Sequence, residues 1–326
     1  MNLVTGASGF IGGRIVNALA ERGEGIRVLV RPSASLAGLA GTKCQIALGD
    51  VLDEESLRAA VRGCRRIYHA AAVYALWSRT PEHIYEVNVE GTRNVLRAAL
   101  AADVERVVYT SSVATIGLLA EGQGNEATPV GLQDMVGDYK RSKFLAESVA
   151  FDFIRRGVPV VIVNPTFPVG LGDIKPTPTG EVIVRFLRGG MPAYLDTGLN
   201  VVDVDDVASG HLLAAERGRV GQRYILGNRN MTLKEIFQVL AAITGLPEPR
   251  IRLPYYPVLF FAGLDAALAK LMPRRTPVIA PAGVRMARKK MFVDPAKAVK
   301  ELGLPQTPAV AALKKSVDWF RSHGYG

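Results

Sequence analysis

Short runs of β-branched and aliphatic residues alternate with longer segments of helical periodicity through the first half of the chain. The runs predict strands at 3–4, 26–30, 44–48, 66–69, 106–110 and 159–163. The segments between them predict helices at 10–22, 54–61, 82–101 and 134–156. Strands that alternate with helices favour an α/β fold with a doubly wound parallel sheet, in which ligands bind at the carboxyl ends of the strands.

The pattern changes after residue 164, where four prolines interrupt the chain before residue 179. A further strand and helix are predicted at 200–203 and 205–216, followed by a strand at 223–226. From Thr232 onward the pattern is mostly helical. We expect a larger domain over 1–165, to which 200–226 returns, and a smaller, mainly helical substrate-binding lobe formed by 166–199 and 227–326.

The turn after the first predicted strand has three glycines with a spacing typical of dinucleotide binding. Gly6 permits the tight turn, Gly9 lets the backbone approach a pyrophosphate, and Gly12 lets the following helix pack on the sheet. The larger domain is therefore predicted to be a Rossmann domain that binds a nicotinamide dinucleotide. The predicted phosphate-binding residues are Gly6, Ser8, Gly9, Phe10, Ile11 and Gly12.

The end of the second predicted strand bears on the choice of cofactor. NAD binding favours an acidic residue there, because a carboxylate accepts from the ribose 2′-hydroxyl. Here the strand is followed by Arg31, whose forked guanidinium suits the 2′-phosphate of NADP. The sequence predicts NADP, with NAD as the open alternative.

Further cofactor contacts are predicted along the same edge of the sheet. An aspartate at the end of the third strand is placed to accept from the adenine amino group, and small residues after the fourth let the backbone lie against the cofactor. An asparagine in the middle of a predicted helix either makes a buried structural hydrogen bond or belongs to a proton path. These residues are Asp50 with Val51, Ala70, Ala71 and Ala72, and Asn88.

A candidate acid/base lies in the helix predicted at 134–156. Tyr139 and Lys143 are four residues apart and share one face of a helix. A nearby ammonium lowers the pKa of a phenol, which would let Tyr139 exchange protons closer to neutral pH. Ser112, at the end of the fifth strand, is placed to orient a substrate oxygen. The set Ser112, Tyr139 and Lys143 is suited to hydride transfer at a carbonyl or carbinol carbon.

Composition narrows the classes of protein. The chain has 326 residues, 48% of them hydrophobic, and no apolar run reaches the roughly 18–20 residues of a membrane span. It opens into a strand without a basic leader, and its two cysteines have no disulfide or metal-binding pattern. We expect a cytoplasmic protein without a metal site.

The net charge of +10 is concentrated near the C-terminus, since residues 270–315 contain eleven Lys/Arg and two Asp/Glu. This segment could contact an anionic substrate or a membrane surface, or be a solvated face. Nucleic acid is not an expected partner, because no recognition module is present.

Together these residues resemble the extended short-chain dehydrogenase/reductase family, the superfamily of NAD-dependent epimerases and dehydratases, along the full chain. The shared features are the glycine turn, Asp50, Asn88, the pair at 111–112, Tyr139 with Lys143, and the segment 204–208. The chain is similar to the dihydroflavonol-4-reductase-like group in Arg31 and the Thr-Ser-Ser segment. It is more similar to the hopanoid-associated sugar epimerase family, in segments 75–77, 139–147, 173–180 and 283–291. Asp203 replaces a histidine that is usual in this family.

The resemblance implies a bacterial cytoplasmic enzyme linked to hopanoid lipid biosynthesis. It implies that the backbone at Pro165 and Thr166 meets the nicotinamide amide. It also implies a homodimer built on a four-helix bundle, which would use 82–101 and 134–156 here.

Several chemistries remain open at such a site. An epimerase keeps its cofactor bound, usually NAD, and Arg31 disfavours that. A dehydratase needs an acid pair beside the serine, whereas Ser112 is followed by Val113 and Ala114. A reductase using NADPH is our main hypothesis, with a carbonyl in a sugar-like group, such as a hopanoid headgroup, as its substrate. A non-catalytic redox sensor is a further alternative, which the intact Ser112, Tyr139 and Lys143 disfavour.

The substrate side is less well defined by the sequence. A strongly apolar helix is predicted at 255–271, before the cationic segment. This helix either contacts a membrane surface, covers an apolar substrate or packs in the core of the smaller lobe. If Arg285 and Arg288 share a helical face, they could clamp a diphosphate, which would favour an epimerase. The candidate substrate-binding residues are Ser111, Tyr74, Trp77, Arg285 and Arg288.

Overall fold

The strands of the protein fall into three sheets. The computed structural model describes residues 1–189, 191–272 and 274–325. Its strands are β1 (Asn2–Thr5), β2 (Ile26–Val30), β3 (Gln45–Leu48), β4 (Arg66–His69), β5 (Arg106–Thr110), β6 (Val160–Pro165), β7 (Phe167–Val169), β8 (Ala193–Tyr194), β9 (Gly198–Asp203), β10 (Arg223–Leu226), β11 (Arg229–Thr232) and β12 (Ile251–Arg252).

The helices lie between the strands and in the C-terminal part of the chain. They are α1 (Phe10–Glu21), α2 (Glu54–Val61), α3 (Pro81–Tyr85), α4 (Gly91–Ala101), α5 (Gly137–Arg155), α6 (Pro178–Leu187), α7 (Val204–Arg217), α8 (Leu233–Thr244), α9 (Tyr255–Leu271), α10 (Pro281–Met286), α11 (Ala296–Leu302) and α12 (Ala309–Ser322).

The largest sheet has seven parallel strands in the order β10-β6-β5-β4-β1-β2-β3. The chain adds β2 and β3 on one side of β1 and then crosses over to add β4 and the later strands on the other side. Thr5, at the end of β1, therefore lies between Leu29 and His69. Crossovers that diverge in this way open a crevice at the carboxyl ends of the strands. The predicted doubly wound parallel sheet is confirmed, and the glycine-rich turn lies in its crevice.

Helices cover both faces of this sheet. On one face, Ile15 of α1 and Leu212 of α7 belong to one buried hydrophobic cluster. On the other, Leu57 of α2, Leu96 of α4 and Phe153 of α5 belong to a second cluster. Strands that are covered on both faces need continuous aliphatic runs, which explains why the sequence pattern located them.

Two helices differ from the sequence prediction. The segment 82–101 forms α3, a π-helical turn over Glu86–Glu90, and α4. π-Helical turns often occur at functional positions, and this one carries the buried Asn88. In the segment 134–156 the α-helix begins only at Gly137, whose φ of +79° suits glycine.

A further hydrophobic cluster lies outside the main sheet and joins α6, α8 and α12 to a three-stranded sheet in the order β11-β9-β7. Of the segment 200–226, only β10 joins the main sheet, beside β6. The prediction that 200–203 also returns there is wrong, because β9 pairs with β7 and β11. The division of the chain into two domains at the predicted boundaries stays a proposal.

Within the described residues, no helix is both long and apolar enough to cross a bilayer. The same residues contain no group of three His, Cys, Asp or Glu side chains arranged to hold a metal ion.

Candidate active site

The glycine-rich turn is shaped by two close backbone contacts. Gly6 has a φ of +73°, and a Cβ there would lie 2.6 Å from the backbone of Ala70 and Ala71. A Cβ at Gly12 would lie 2.1 Å from the Gly6 carbonyl oxygen. Neither position accepts a side chain unless the backbone moves, so the turn holds α1 tightly against the ends of β1 and β4.

The start of α1 is open to an anionic group. Gly9 is the N-cap residue without any side-chain cap, and the first turn contains no acidic residue. The N–H groups of Phe10, Ile11 and Gly12 are in the first turn, where a helix has no internal acceptors for them. Ser8 is exposed beside them. This cradle fits the pyrophosphate of a dinucleotide, because free N–H groups and the helix dipole both favour an anion.

Arg31 and Asp50 follow neighbouring strands at the same edge. Arg31 comes directly after β2, is exposed, and makes no ion pair with any described residue. Asp50 follows β3, and its Oδ1 accepts a hydrogen bond of 2.9 Å from the N–H of Leu52. Its second oxygen remains available to a ligand. Val51 is buried against Gly91. The arrangement fits an adenosine that passes Arg31 and Asp50.

The alanines and Asn88 have different surroundings. Ala70 and Ala71 lie against Gly6, while Ala72 is exposed. The Asn88 amide accepts from the N–H of Val73 at 2.7 Å, and it donates to the Val73 carbonyl at 3.1 Å and to Ser142 Oγ at 2.9 Å. Both amide protons are therefore used within the protein. This favours a structural role that ties the loop after β4 to α5, and it leaves no amide proton for a cofactor.

The candidate acid/base lies next to the candidate serine. Tyr139 is on α5, and its phenol lies beside the hydroxyl of Ser112, which follows β5. Burial raises the pKa of Tyr139, and the polar contact with Ser112 partly offsets the rise. The ring of Tyr74 is 4.5 Å from the Tyr139 ring, centroid to centroid. Ser112, Tyr139 and Tyr74 therefore lie next to one another at the carboxyl edge of the sheet.

Lys143 shares a face of α5 with Tyr139, but its ammonium is bound elsewhere. Nζ donates to the Thr110 carbonyl at 2.7 Å and lies 4.9 Å from the centre of the Tyr109 ring. Burial lowers the pKa of Lys143 to about 7, against a smaller opposing effect of Glu147. The prediction that Lys143 lowers the pKa of Tyr139 is wrong for this structure, because burial of the phenol dominates and raises that pKa.

Ser111 does not face Tyr139. Its hydroxyl donates to Glu147 at 2.5 Å, in a buried cluster with Thr115 and Asn164 that Arg223 closes through an ion pair of 3.2 Å. The side chains of consecutive residues in an extended segment point in opposite directions, and this separates Ser111 from Ser112. The predicted contact of Ser111 with substrate is therefore not supported, and its position is structural.

Arg285 and Arg288 do not form the predicted clamp. Helix α10 ends at Met286, so the two residues do not share a helical face, and both are exposed. The remaining candidates lie near the edge of the main sheet. Pro165 ends β6, Thr166 Oγ1 donates to the Leu226 carbonyl at 3.3 Å, and Trp77 is in the loop after β4.

Comparison with known proteins identifies the family. Residues 2–227 match the model of the NAD dependent epimerase/dehydratase family. The chain belongs to this family. It is 46% identical to a Synechocystis protein named as a dihydroflavonol 4-reductase, over 99% of this chain and 95% of that protein. It is 36% identical to sterol demethylase protein B of Methylococcus capsulatus, over 99% of this chain and 98% of that protein.

Among solved structures, a nucleoside-diphosphate-sugar epimerase from Pseudomonas aeruginosa is 28% identical with a TM-score of 0.81, over 99% of this chain and 98% of that one. The extended short-chain dehydrogenase resemblance is confirmed, and as a family member this protein is an NAD(P)-dependent enzyme.

Two features near the site were not found from the sequence. Asp173 is buried and accepts hydrogen bonds from the N–H and the hydroxyl of Thr177. The pKa of Tyr74 is raised mainly by burial of its hydroxyl, and to a smaller extent by Tyr139 and Asp173. Ile174 packs close to Gly38, so this segment follows the crevice from the second strand to Tyr74. Lys140 is only 6% exposed, and burial and Lys289 lower its pKa to about 8. A Thr-Pro pair such as 177–178 is typical of a helix start and could have located α6 next to Asp173. No sequence signal reveals the burial of Lys140.

Proposed function

We propose that this family member is an NADP(H)-dependent reductase that acts on a carbonyl in a sugar-like or related substrate. The observation that carries the proposal is Arg31, which is exposed and free of ion pairs with described residues where an NAD-binding site would have an acid. A reductase that releases its oxidised cofactor after each turnover suits NADP. The names of relatives agree, since the Synechocystis relative is named as a dihydroflavonol 4-reductase and others are named as cinnamoyl-CoA reductases.

The chemistry follows from the residues that surround Tyr139. When bound, a nicotinamide cofactor supplies the hydride. The Ser112 hydroxyl orients the substrate oxygen, and the Tyr139 phenol donates the proton that this oxygen needs as the carbonyl becomes a carbinol. The raised pKa keeps Tyr139 protonated at neutral pH, which is the form that a reductase requires. Lys143, on the same face of α5, is proposed to position the ribose of the cofactor.

The substrate is proposed to combine a polar carbonyl group with an apolar body. Tyr74 and Trp77 follow β4 beside the catalytic edge and offer aromatic surface to it. One relative is named as a sterol demethylase protein, and this name supports a polycyclic lipid as the apolar body. A hopanoid headgroup in the bacterial cytoplasm remains our specific proposal for the substrate and location.

A homodimer is part of the same proposal. The predicted interface uses the segments 82–101 and 134–156, which the structure forms as α3, α4 and α5. Leu100 of α4 is 44% exposed, as expected for a residue at such an interface.

The second candidate is a nucleotide-sugar epimerase that uses NAD. It is favoured by the fold of the Pseudomonas aeruginosa epimerase, which covers nearly the whole chain. A dehydratase is disfavoured, because Val113 and Ala114 form a buried turn after Ser112 with no acid in it. A redox sensor without catalysis is disfavoured by the juxtaposition of Ser112 and Tyr139, which binding alone does not need.

The cofactor assignment is tested by isothermal titration calorimetry of NADP⁺ and NAD⁺. For wild type we expect tighter binding of NADP⁺. Arg31→Ala should weaken NADP⁺ binding by about 10- to 100-fold, because charge-assisted hydrogen bonds contribute about 1.5–3 kcal/mol. NAD⁺ binding should change by less than about twofold.

Arg62→Ala is the matched control, since Arg62 is exposed just after α2. It should leave both affinities unchanged. Equal affinities in wild type, or an equal loss for both cofactors in Arg31→Ala, would contradict the assignment. Cofactor that copurifies as NAD⁺ and resists removal would favour the epimerase.

A further inference from the structure

Helix α9 exposes its large apolar residues and buries its small ones. Its buried residues are Ala262, Ala266 and Ala269. Six large apolar side chains are between 47% and 79% exposed, and we call them the α9 outer face: Tyr256, Phe260, Phe261, Leu264, Leu268 and Leu271. With 3.6 residues per turn, these six lie on one side of the helix and the three alanines on the other. A surface helix of an ordinary globular protein has the opposite arrangement.

The outer face forms one continuous patch. Soluble monomers rarely expose apolar patches larger than a few hundred Å², and larger ones mark contact with a protein or a membrane. Met272 is 51% exposed and continues the patch beyond the end of the helix. Val278 and Ile279, in the following loop, are 66% and 43% exposed. The described residues of the chain therefore leave this surface uncovered.

The segment that carries α9 is rich in cations, of which Arg252 pairs with Asp196 at 2.7 Å. Residues 249–293 contain nine Lys/Arg and one acidic residue, Asp265. The Asp265 carboxylate forms an ion pair of 2.5 Å with Arg275 and accepts a hydrogen bond from the N–H of Val278. Lys270 lies in the last turn of α9 and Arg274 follows it, and both are exposed. Lys270 and Arg274 thus form a cationic rim at the C-terminal end of the apolar outer face.

We propose that α9 docks the protein on an anionic membrane surface, with the outer face in the acyl–headgroup boundary and the cationic rim against lipid phosphates. A helix of 17 residues is about 25 Å long and lies parallel to such a surface. A second copy of the chain fits less well. A two-fold contact through this face would bring two positive rims together, and like charges repel.

The docking surface is connected to the catalytic edge. Arg79, in the loop that also carries Tyr74 and Trp77, donates to the carbonyl of Ala269 at 2.6 Å and to that of Arg275 at 2.7 Å. A cation at the C-terminal end of a helix is favoured by the helix dipole. Docking through α9 therefore holds the Tyr74 loop next to the lipid, where a substrate with an apolar body resides.

The test is cosedimentation of the full-length protein with vesicles of phosphatidylcholine, with and without phosphatidylglycerol. We expect binding to the mixed vesicles and weak binding to phosphatidylcholine alone. The double variant Phe260→Ser/Phe261→Ser should bind the mixed vesicles at least about tenfold less, because two large apolar side chains are lost. Val220→Ser is the matched control, since Val220 is also exposed but lies between α7 and β10.

The cationic rim is tested separately. Lys270→Gln/Arg274→Gln should weaken binding to the mixed vesicles by about fivefold for each charge removed, at about 1 kcal/mol per cation. Arg62→Gln/Lys300→Gln removes two exposed charges elsewhere and should have no effect.

Thermal unfolding of each variant shows whether it is folded. Vesicle binding does not depend on turnover, so a failure of the docking proposal can be distinguished from a failure of the proposed reaction. Wild type that stays in the supernatant with both vesicles overturns the proposal. So does a dimer in sedimentation velocity that the double phenylalanine variant dissociates, since the outer face is then a subunit interface.

Discussion

The glycine-rich turn after β1 and helix α9 differ in how their residues are constrained. At the turn, the nearest atoms to a Cβ on Gly6 or Gly12 are backbone atoms of the same protein, at 2.6 and 2.1 Å. On α9, side chains as large as Phe261 and Leu271 extend into solvent. The first region is fixed by contacts within the chain, whereas the second has surface to offer to another molecule. Substitutions in the two regions should therefore affect different properties.

The largest effect is expected at the catalytic edge. Tyr139→Phe should lower kcat for carbonyl reduction by about 10²- to 10⁴-fold, because the proposed proton donor is lost. NADP⁺ affinity should stay within about twofold, since the ring remains. NADPH oxidation followed at 340 nm and calorimetry measure the two quantities. Tyr74→Phe is the control and should lower kcat much less. A Tyr139→Phe enzyme with wild-type kcat would contradict the proposed role.

The tightness of the turn is tested by a pair of neighbouring glycines. Gly12→Ala should weaken NADP⁺ binding by at least about tenfold and lower the free energy of unfolding by about 1–3 kcal/mol, because overpacking forces the backbone to move. Gly13→Ala meets its nearest atom at 3.4 Å and should be nearly neutral. Calorimetry and urea unfolding distinguish them. If both variants behave alike, the backbone contact does not govern the turn.

Buried lysines make stability depend on pH. Burial lowers the pKa of Lys143 to about 7 and that of Lys140 to about 8, from an ordinary value near 10.5. Between those values and about pH 10 the unfolded chain binds more protons than the folded one, so stability should rise with pH. The slope approaches about 1.4 kcal/mol per pH unit for each lysine.

Lys143→Met should reduce this slope when urea unfolding is followed from about pH 7 to pH 9.5. Lys300→Met, at an exposed position, should not. An unchanged slope in Lys143→Met would mean that the Lys143 ammonium remains charged in the folded protein.

The smallest effect is expected on α9. Phe261→Ser should change the free energy of unfolding by less than about 0.5 kcal/mol and leave NADP⁺ affinity unaltered in solution, because the side chain is 66% exposed. Thermal unfolding and calorimetry are the measurements. A loss of several kcal/mol would show that the outer face is covered in solution, and the contrast between the two regions would then disappear.

The sequence predicted the main sheet well because its strands are covered on both faces and so carry continuous aliphatic runs. The helix of the candidate acid/base was also found, since Tyr139 and Lys143 have helical spacing. The partner of the Lys143 ammonium was not predictable, because it depends on the Thr110 carbonyl at 2.7 Å. Likewise, Ser111 and Ser112 are adjacent in sequence, and only the fold shows that Ser111 binds Glu147.

The C-terminal part was less predictable for physical reasons. Helix α9 is apolar almost all round, so its periodicity does not say which side packs on the protein, and the alanines take that place. Arg285 and Arg288 share a helical face only if the helix continues, and α10 ends at Met286. The strands that pair with 200–203 could not be predicted either, because pairing with β7 and β11 depends on contacts between residues distant in sequence.

Net carbonyl reduction by this protein can be tested through the stoichiometry of cofactor use. The purified protein is incubated with NADPH and either a panel of sugar and polycyclic lipid aldehydes or UDP-glucose, and NADPH loss and product are quantified together. We expect one NADPH to be consumed for each carbinol formed from a carbonyl substrate, with no change in UDP-glucose. Formation of an epimer of UDP-glucose without net loss of NADPH, and no reduction of any carbonyl, would contradict it.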